Sequence, residues 1–380
     1  MHTILFVLGT RPEAIKLAPL IRAVQEQPSR FRARVCVTAQ HREMLDQVLT
    51  AFGLETHHDL HVMQSGQTLS QSSARIIASL EPVFQSECPD VTVVQGDTTT
   101  TFCGALASFY ARVPVAHVEA GLRTGDIAQP FPEEMNRVLT SRLASLHFAA
   151  TEGAAANLRA EGVNASDISV TGNTGVDAIL HIRDGLESGR VRADPIVAAD
   201  PLKRLIMVTA HRRESFGPGF ERICAALGRL AARGDVEIVY PVHPNPNVRE
   251  PVHRLLGNTP GIRLVDPLGY VPFVDLMRRS ALLITDSGGV QEEGPSLGKP
   301  VLVLRDKTER PEAVEAGTVR LVGTDPARIV AEAETLLDNP EMYQRMSRVH
   351  NPYGDGRASG RILALIHSFL SGKSSVTRAV

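Results

Sequence analysis

Short apolar runs recur along the chain, each followed by a polar, glycine-bearing turn and then a stretch with helical spacing. In the first half the runs are ILFVL (4–8), ARVCVTA (33–39), VTVVQ (91–95), PVAHV (114–118) and LHFAA (146–150). In the second half they are RLIMVTA (204–210), VEIVYPV (236–242), IRLV (262–265), ALLIT (281–285) and PVLVL (300–304). Most are apolar at successive positions, as strands covered on both faces of a parallel sheet are. Between them lie amphipathic segments. After Pro12, a residue suited to a first helical turn, Leu17, Leu20 or Ile21, and Val24 recur on one face. Pro19 inside that segment predicts a kink. Strand–helix alternation of this kind predicts an α/β fold with parallel sheets. Two groups of five strands predict two doubly wound, Rossmann-like domains, residues 1–172 and 173–356, parted near TGNTGVD (171–177). Residues 184–203 read as a loose surface connection. NPYGDGRAS (351–359) reads as a tight turn before a last helix, RILALIHSFL (361–370).

Composition narrows the class. The 380 residues are 43% hydrophobic, enough for a large core, and carry a net charge of −2. That balance offers no footprint for nucleic acid or an anionic membrane. Cys36, Cys88, Cys103 and Cys224 form no CxxC pair, which predicts reduced thiols in a cytoplasmic protein rather than a disulfide framework or a zinc site. The opening HTILFVLGT lacks a basic flank and a cleavage site, so it reads as a first strand. No apolar run approaches the ~20 residues of a membrane helix.

Ligands of open α/β sheets bind beyond the carboxyl ends of the strands, so the residues just after each run are where chemistry is expected. The first run is followed by Gly9–Glu13, with Lys16 one turn on, and VTVVQ by Gly96-Asp97-Thr98-Thr99-Thr100. PVAHV leads into Glu119 and the charged stretch GLRTGDIAQPFPEEMNR. In the second half come His211-Arg212-Arg213-Glu214, then His243, then Asp286-Ser287-Gly288-Gly289, with Arg305 and Arg310 after the last run. Singly, each has a plain structural reading: Ser, Thr or Asp after a strand often caps the next helix. Their coincidence in nearly every loop points to a site.

The second-half loops have anion-binding chemistry. Gly288 and Gly289 let backbone approach a ligand, and a helix starting there aims N–H groups and its positive dipole end at an anion. Arg11, His211 and Arg310 offer charge-assisted donors. Glu293, one turn on, can accept both hydroxyls of a ribose. GxGxxG and GxxxxGK[ST] are absent, which excludes the dinucleotide fingerprint and the P-loop. In the first half, Asp97, Glu119 and Glu133 are a set of carboxylates suited to general base and acid work. Arg137 shares a helix face with Glu133 and is expected to pair with it. Lys16, Arg123 and Arg137 would hold the acids or bind substrate oxygens. His57, His58 and His61 read as solvated surface, since no HExxH motif accompanies them.

These motifs resemble a known family. GTRPEAIKLAPLI (9–21), TAQHREMLDQVL (38–49), VQGDTTTT (94–101), HVEAGLRTGD (117–126), PFPEEMNR (130–137), TAHRRES (209–215) and TDSGGVQEEGPSLGKPVLVLRDKTERPEAVEAGT (285–318), with TGNTGVD and NPYGDGRAS, are similar to the non-hydrolysing UDP-N-acetylglucosamine 2-epimerases. The resemblance covers nearly the whole chain in order. It implies the glycosyltransferase-B fold, with two Rossmann-like domains, a site in the cleft between them, and a C-terminal helix (357–380) that completes the first domain. It implies Asp97, Glu119 and Glu133 as catalytic carboxylates, with Lys16, Arg137 and His211 beside them. It implies Arg11, Phe273, Ser287, Gly288, Gly289, Glu293 and Arg310 as contacts to UDP. Gln40, Arg212 and His243 match positions that some members use to bind a second UDP-GlcNAc as activator, whereas Glu43 and Gly66 depart from that pattern. A homodimer, no metal and no added cofactor are also implied.

The resemblance further implies interconversion of UDP-GlcNAc and UDP-ManNAc in the service of cell-surface polysaccharide. The hydrogen on sugar carbon 2 is not next to a carbonyl, so direct deprotonation is very hard. Transient oxidation would need bound NAD, for which the chain has no GxGxxG, and none of its five tyrosines is followed by Lys four residues later. Elimination of UDP to 2-acetamidoglucal, then re-addition, is the other route. The alternatives are a hydrolysing relative that releases UDP and free N-acetylmannosamine, a relative acting on a diacetamido-uronic acid, a glycosyltransferase of the same fold, and an inactive nucleotide-sugar sensor.

Overall fold

The computed structural model describes residues 1–38, 42–64, 66–193, 200, 202–348 and 350–376. Backbone contacts divide the chain into two compact units, Met1–Ala178 with Tyr353–Val380, and Ile179–Pro352. In the first unit β1 (His2–Leu8), β2 (Phe31–Val37), β3 (His58–Asp59), β4 (Val91–Gln95), β5 (Val115–Ala120), β6 (Leu146–Ala149) and β7 (Ile168–Val170) form one sheet in the order β3-β2-β1-β4-β5-β6-β7. In the second, β8 (Arg204–Thr209), β9 (Val236–Pro241), β10 (Ile262–Val265), β11 (Leu282–Thr285), β12 (Val301–Val303) and β13 (Val319–Leu321) run β10-β9-β8-β11-β12-β13. The described pairings are parallel. The two doubly wound sheets expected from the alternation are present, with seven and six strands rather than five each. The added β3, β7 and β13 all lie at sheet edges, where a short strand without a continuous apolar run suffices.

Local signals explain the elements. The helix Arg11–Gln25 opens on a capping box, Thr10 with Glu13, and Pro12 sits in its first turn. Leu17, Leu20, Ile21 and Val24 are all fully buried. The helix continues through Pro19. Thr98 caps the helix Thr99–Tyr110 by accepting from Thr101 N at 3.1 Å. In the second unit Ile206, Val208, Ile238 and Ile284 from the strands pack with Phe220, Leu227 and Ile329 from the helices.

Strand order places the candidate residues. Winding reverses at β1, flanked by β2 and β4, and at β8, flanked by β9 and β11. At such a switch point adjacent loops leave in opposite directions and open a crevice at the carboxyl ends. Gly9–Lys16 and Gly96–Thr100 flank the first crevice, and His211–Glu214 and Asp286–Gly289 the second.

The C-terminal helix Ala358–Val376 belongs to the first unit and packs on Arg11–Gln25. Its entry is held by one side chain: the Asp177 carboxylate accepts from Ser359 N at 2.8 Å and Ala358 N at 3.2 Å. Asn173 N donates to Tyr353 O at 2.7 Å, and His367 meets Phe31 edge-on with centroids 5.6 Å apart. Among the described residues no helix is long and apolar enough to cross a membrane. Asp177→Ala orphans two buried helix-start amides, so urea unfolding should show a loss of about 1–2 kcal/mol, the usual cost of a lost cap. An unchanged unfolding midpoint would mean that packing and the remaining bonds, Asn173 N to Tyr353 O and Arg361 to Thr171 O, hold the C-terminal helix without the cap.

Candidate active site

β4 and β5 are neighbours, with Gln95 opposite Val118, so Asp97 and Glu119 leave the sheet on the same edge. Glu119 is the residue at the register shift between Val118 and Ala120 and has φ of 63°, the left-handed region. A residue other than glycine is held there at a cost of roughly 1–3 kcal/mol, which marks it as a functional candidate. Gly121 is required nearby, since a Cβ on it would run into the Ala154 carbonyl. Lys16 Nζ donates to Glu119 Oε1 at 2.7 Å and Oε2 at 2.6 Å, and the Gln95 amide also donates to Oε2. The Lys16 and Glu119 side chains are only 15% and 14% exposed, so water screens the pair little.

Asp97 is gripped by Arg137, whose Nε donates to Oδ2 at 3.1 Å and whose terminal nitrogen donates to the same oxygen. Arg137 was expected to pair with Glu133. It pairs instead with Glu134, at 3.0 Å, as well as with Asp97. Consecutive helix residues point about 100° apart, so Glu134 turns inward and is buried while Glu133 is half-buried at the start of the helix Glu133–Leu143. Glu134 also accepts from Thr124 N at 3.0 Å and Gly125 N at 3.2 Å, which ties the GLRTGD turn to the helix. Arg123, expected to hold the acids or substrate, is committed to Glu161 at 2.6 and 2.9 Å and to Ser141.

Two further buried groups join the loops. Glu13 accepts from Gly9 N (3.0 Å), Thr10 N (2.7 Å), Thr98 Oγ1 (2.7 Å) and Thr101 Oγ1 (3.1 Å), fastening the loop after β1 to the loop after β4. Burial pushes its carboxyl up, and these donors oppose that shift. His117, inside β5, bonds the Gly96 carbonyl through Nε2 at 2.7 Å. Burial lowers its pKa to about 3, so the ring stays neutral and donates. It thereby sets the turn that carries Asp97.

In the second unit, Asp286 closes β11 with no exposure and accepts from His211 N at 2.6 Å and Arg212 N at 2.7 Å. The His211 ring stacks on His243, centroids 5.3 Å apart and 15° between planes. Burial, above all, lowers the His211 pKa, with Asp286 opposing. The helix Gly288–Glu293 starts at Ser287, whose side chain caps nothing. Gly288 has a steric reason: a Cβ there would stand 2.5 Å from Arg310 Cζ, so only glycine lets the guanidinium lie against the backbone. Arg310 Nε donates to Glu292 Oε1 at 2.6 Å. Phe273 is half-buried in the first turn of the helix Tyr270–Arg279, and Glu293 is half-buried at the end of its own.

Lys16, Glu119, Asp97 and Arg137 are thus brought together at one sheet edge, and His211, His243, Arg212, Ser287, Gly288 and Arg310 lie on strand-end loops of the other. Gln40 lies outside the described residues. The three histidines are not simply solvated: His58 Nε2 meets Glu87 at 2.7 Å, the His57 ring accepts from Val35 N at 3.2 Å, and His61 alone is exposed. Among the described residues no three His, Cys, Asp or Glu side chains gather as a metal site. Sequence reasoning missed Gln95, and it placed Glu13, Glu134 and Asp286 in the strand-end loops without giving them a role. The capping box Thr10–Glu13 was a further signal for Glu13.

The family model for UDP-N-acetylglucosamine 2-epimerase matches residues 22–367. The UDP-N-acetylglucosamine 2-epimerase of Escherichia coli strain K12 is 57% identical over 367 residues, covering 95% of this chain and 97% of the relative. The crystal structure of the Neisseria meningitidis UDP-GlcNAc 2-epimerase bound to UDP-GlcNAc superimposes with a TM-score of 0.87 at 46% identity, over 96% of this chain and 99% of that one. That of the Methanocaldococcus jannaschii UDP-GlcNAc 2-epimerase in complex with UDP-GlcNAc and UDP gives 0.78 at 33% identity, over 96% and 99%. A kitacinnamycin glycotransferase, 13% identical with a TM-score of 0.64, shares the fold alone. The two parallel-sheet units are those of the glycosyltransferase-B type.

Glu134 is the buried partner on which Arg137 and the GLRTGD turn both depend. Glu134→Ala leaves the guanidinium with one carboxylate fewer and two amides unbonded, and should cost roughly 3–5 kcal/mol in chemical denaturation. A loss below about 1 kcal/mol, the range of an exposed pair, would contradict this role.

Proposed function

The chain belongs to the UDP-N-acetylglucosamine 2-epimerase family, and from that premise we propose that it interconverts UDP-GlcNAc and UDP-ManNAc without hydrolysis. One observation carries the reading: neighbouring strands β4 and β5 deliver two carboxylates, Asp97 and Glu119, to one edge, each with its own cation. Inversion at carbon 2 requires proton removal on one face of the sugar and delivery on the other. A glycosyltransferase leaves carbon 2 untouched and needs only one such base, whereas the hydrolysing reaction also inverts carbon 2 and is told apart by its products.

The reaction balances as an elimination and its reverse. A carboxylate takes the carbon 2 proton, and that electron pair becomes the double bond between carbons 1 and 2. The carbon 1–oxygen bond breaks with its electrons going to the β-phosphate, giving UDP and 2-acetamidoglucal. UDP oxygen then returns to carbon 1 while carbon 2 is protonated from the opposite face. No redox step occurs, so no nicotinamide is called for. Asp97, Glu119 and Glu133 are the acid/base set, and Lys16 and Arg137 hold them in register. Arg11, Phe273, Ser287, Gly288, Gly289, Glu293 and Arg310 bind UDP, with His211 at the diphosphate. The intermediate must be retained until UDP returns, so the protein has to close over it.

The wider assignments follow the same reading. UDP-ManNAc made in the cytoplasm feeds cell-surface polysaccharide. Arg212 and His243, with Gln40, bind a second UDP-GlcNAc as activator. The protein is a homodimer. Its contact face lies on the helices Leu69–Glu87 and Thr99–Tyr110, where Phe109 and Tyr110 are 60% and 66% exposed beside a groove lined by Phe84 and Val113.

In deuterium oxide with UDP-GlcNAc alone, proton NMR should show UDP-ManNAc appearing and the carbon 2 proton of both sugars disappearing. Asp97→Asn and Glu119→Gln should each slow this by about 10²- to 10⁴-fold, the share of a general acid or base. Accumulating UDP and free N-acetylmannosamine would indicate the hydrolysing reaction instead, and a carbon 2 proton retained in the product would exclude the elimination.

A further inference from the structure

Asp286 is buried at the end of β11 with one oxygen used and one left over. Oδ2 takes the two backbone N–H groups of His211 and Arg212. Oδ1 makes no hydrogen bond and stands 3.4 Å from His211 Nδ1. The neighbouring donors are committed elsewhere. The Tyr240 hydroxyl donates to the Ala210 carbonyl at 2.9 Å, and the Thr209 and Thr285 hydroxyls bond each other at 2.6 Å. The stacked His243 ring limits how His211 can turn. The ring is thus clamped with Nδ1 against a carboxylate and Nε2 on the far side. A lone carboxylate oxygen without a donor is costly when buried, and contacts of this length tighten once a ligand is bound.

We propose that Asp286 is a positioning residue for His211: it keeps a proton on Nδ1 and so presents Nε2 to the diphosphate of the substrate. The placement of the diphosphate rests on the function proposed above. With Asp286 holding the Nδ1 proton, a second proton taken up from solvent at Nε2 makes the imidazolium that donates to the departing UDP, and the Asp286 carboxylate balances that charge. The groups facing the ring divide cleanly. Burial, His243 and Arg212 drive the proton off, whereas Asp286 and Glu214 hold it.

Asp286→Asn inverts this arrangement in an isosteric side chain. Its amide oxygen can still accept the two backbone N–H groups, but its NH₂ then faces Nδ1, which must become the acceptor and send the proton to Nε2. The neutral ring of the variant still has a donor at Nε2, but with the carboxylate gone and an NH₂ facing Nδ1 it cannot take a second proton, so the positive charge that would meet the departing UDP is lost. The decisive measurement is ¹⁵N NMR of the full chain labelled in histidine, with His211 assigned by its loss in His211→Gln. The wild type should show Nδ1 carrying the proton above the ring's titration. In Asp286→Asn the neutral ring's proton should move to Nε2, the titration midpoint should fall, and kcat should drop by about 10²-fold with KM changed only a few-fold, the scale of losing one charge-stabilising donor. A wild-type proton on Nε2 would overturn the proposal, and so would an unchanged tautomer in a folded Asp286→Asn. Should that variant not fold, the wild-type spectrum alone decides. A proton on Nδ1 in a protein that fails to epimerise would leave the dyad standing and remove the function proposed for the chain.

Discussion

A buried carboxylate needs a donor on nearly every lone pair, and that requirement organises both strand-end loop sets. Each acid shown with partners is bound to a cation, to backbone N–H groups, or to both. Lys16 and Gln95 hold Glu119, Arg137 holds Asp97, and Glu134 holds Arg137 together with the GLRTGD turn. Glu13 and Asp286 use backbone amides in the same way, one joining two loops of the first sheet and the other joining two of the second. Such pairs add little net stability against an apolar core, because desolvation offsets the attraction. Their benefit is positional. A catalytic carboxylate fixed by neighbours reacts without reorganising, and preorganised charge is where most catalytic power arises.

The sheets themselves were legible because burial on both faces leaves a plain mark in sequence. Runs such as VTVVQ and VEIVYPV have no other economical explanation, and the loops after them carry the polar residues. Edge strands escape this logic. HD, ISV and VRL bury too little to need an apolar run, so β3, β7 and β13 could not be seen. The same limit applies to pairing. Spacing alone puts Glu133 and Arg137 on one helix face, yet Glu134, one residue further on, turns toward the core and captures Arg137. The doublet Glu292-Glu293 behaves alike, with the first glutamate holding Arg310. A sequence shows that two acids are adjacent. Which one turns inward depends on how the helix sits on its sheet, and that is a tertiary fact.

The candidate site residues could be singled out in sequence because they stand at fixed points of the winding, beyond β1, β4 and β5 and beyond β8 and β11. Their supports were not. Gln95 lies inside a strand and reads as core, and Asp286 reads as a helix cap. The left-handed turn at Glu119 also leaves no sequence mark, since such positions usually call for glycine. Supports of this kind cost the sequence nothing distinctive, yet they decide whether a carboxylate is pointed at a substrate.

The central claim is that the bond between carbon 1 and the diphosphate breaks and reforms in every turnover. Positional isotope exchange tests it directly. UDP-GlcNAc carrying ¹⁸O in the bridge between carbon 1 and the β-phosphate would be incubated with the protein and followed by ³¹P NMR. Elimination predicts that the label moves into non-bridging β-phosphate positions as epimerisation proceeds, because freed UDP can return through any of its terminal oxygens. Epimerised sugar that keeps all of its ¹⁸O in the bridge would contradict the account.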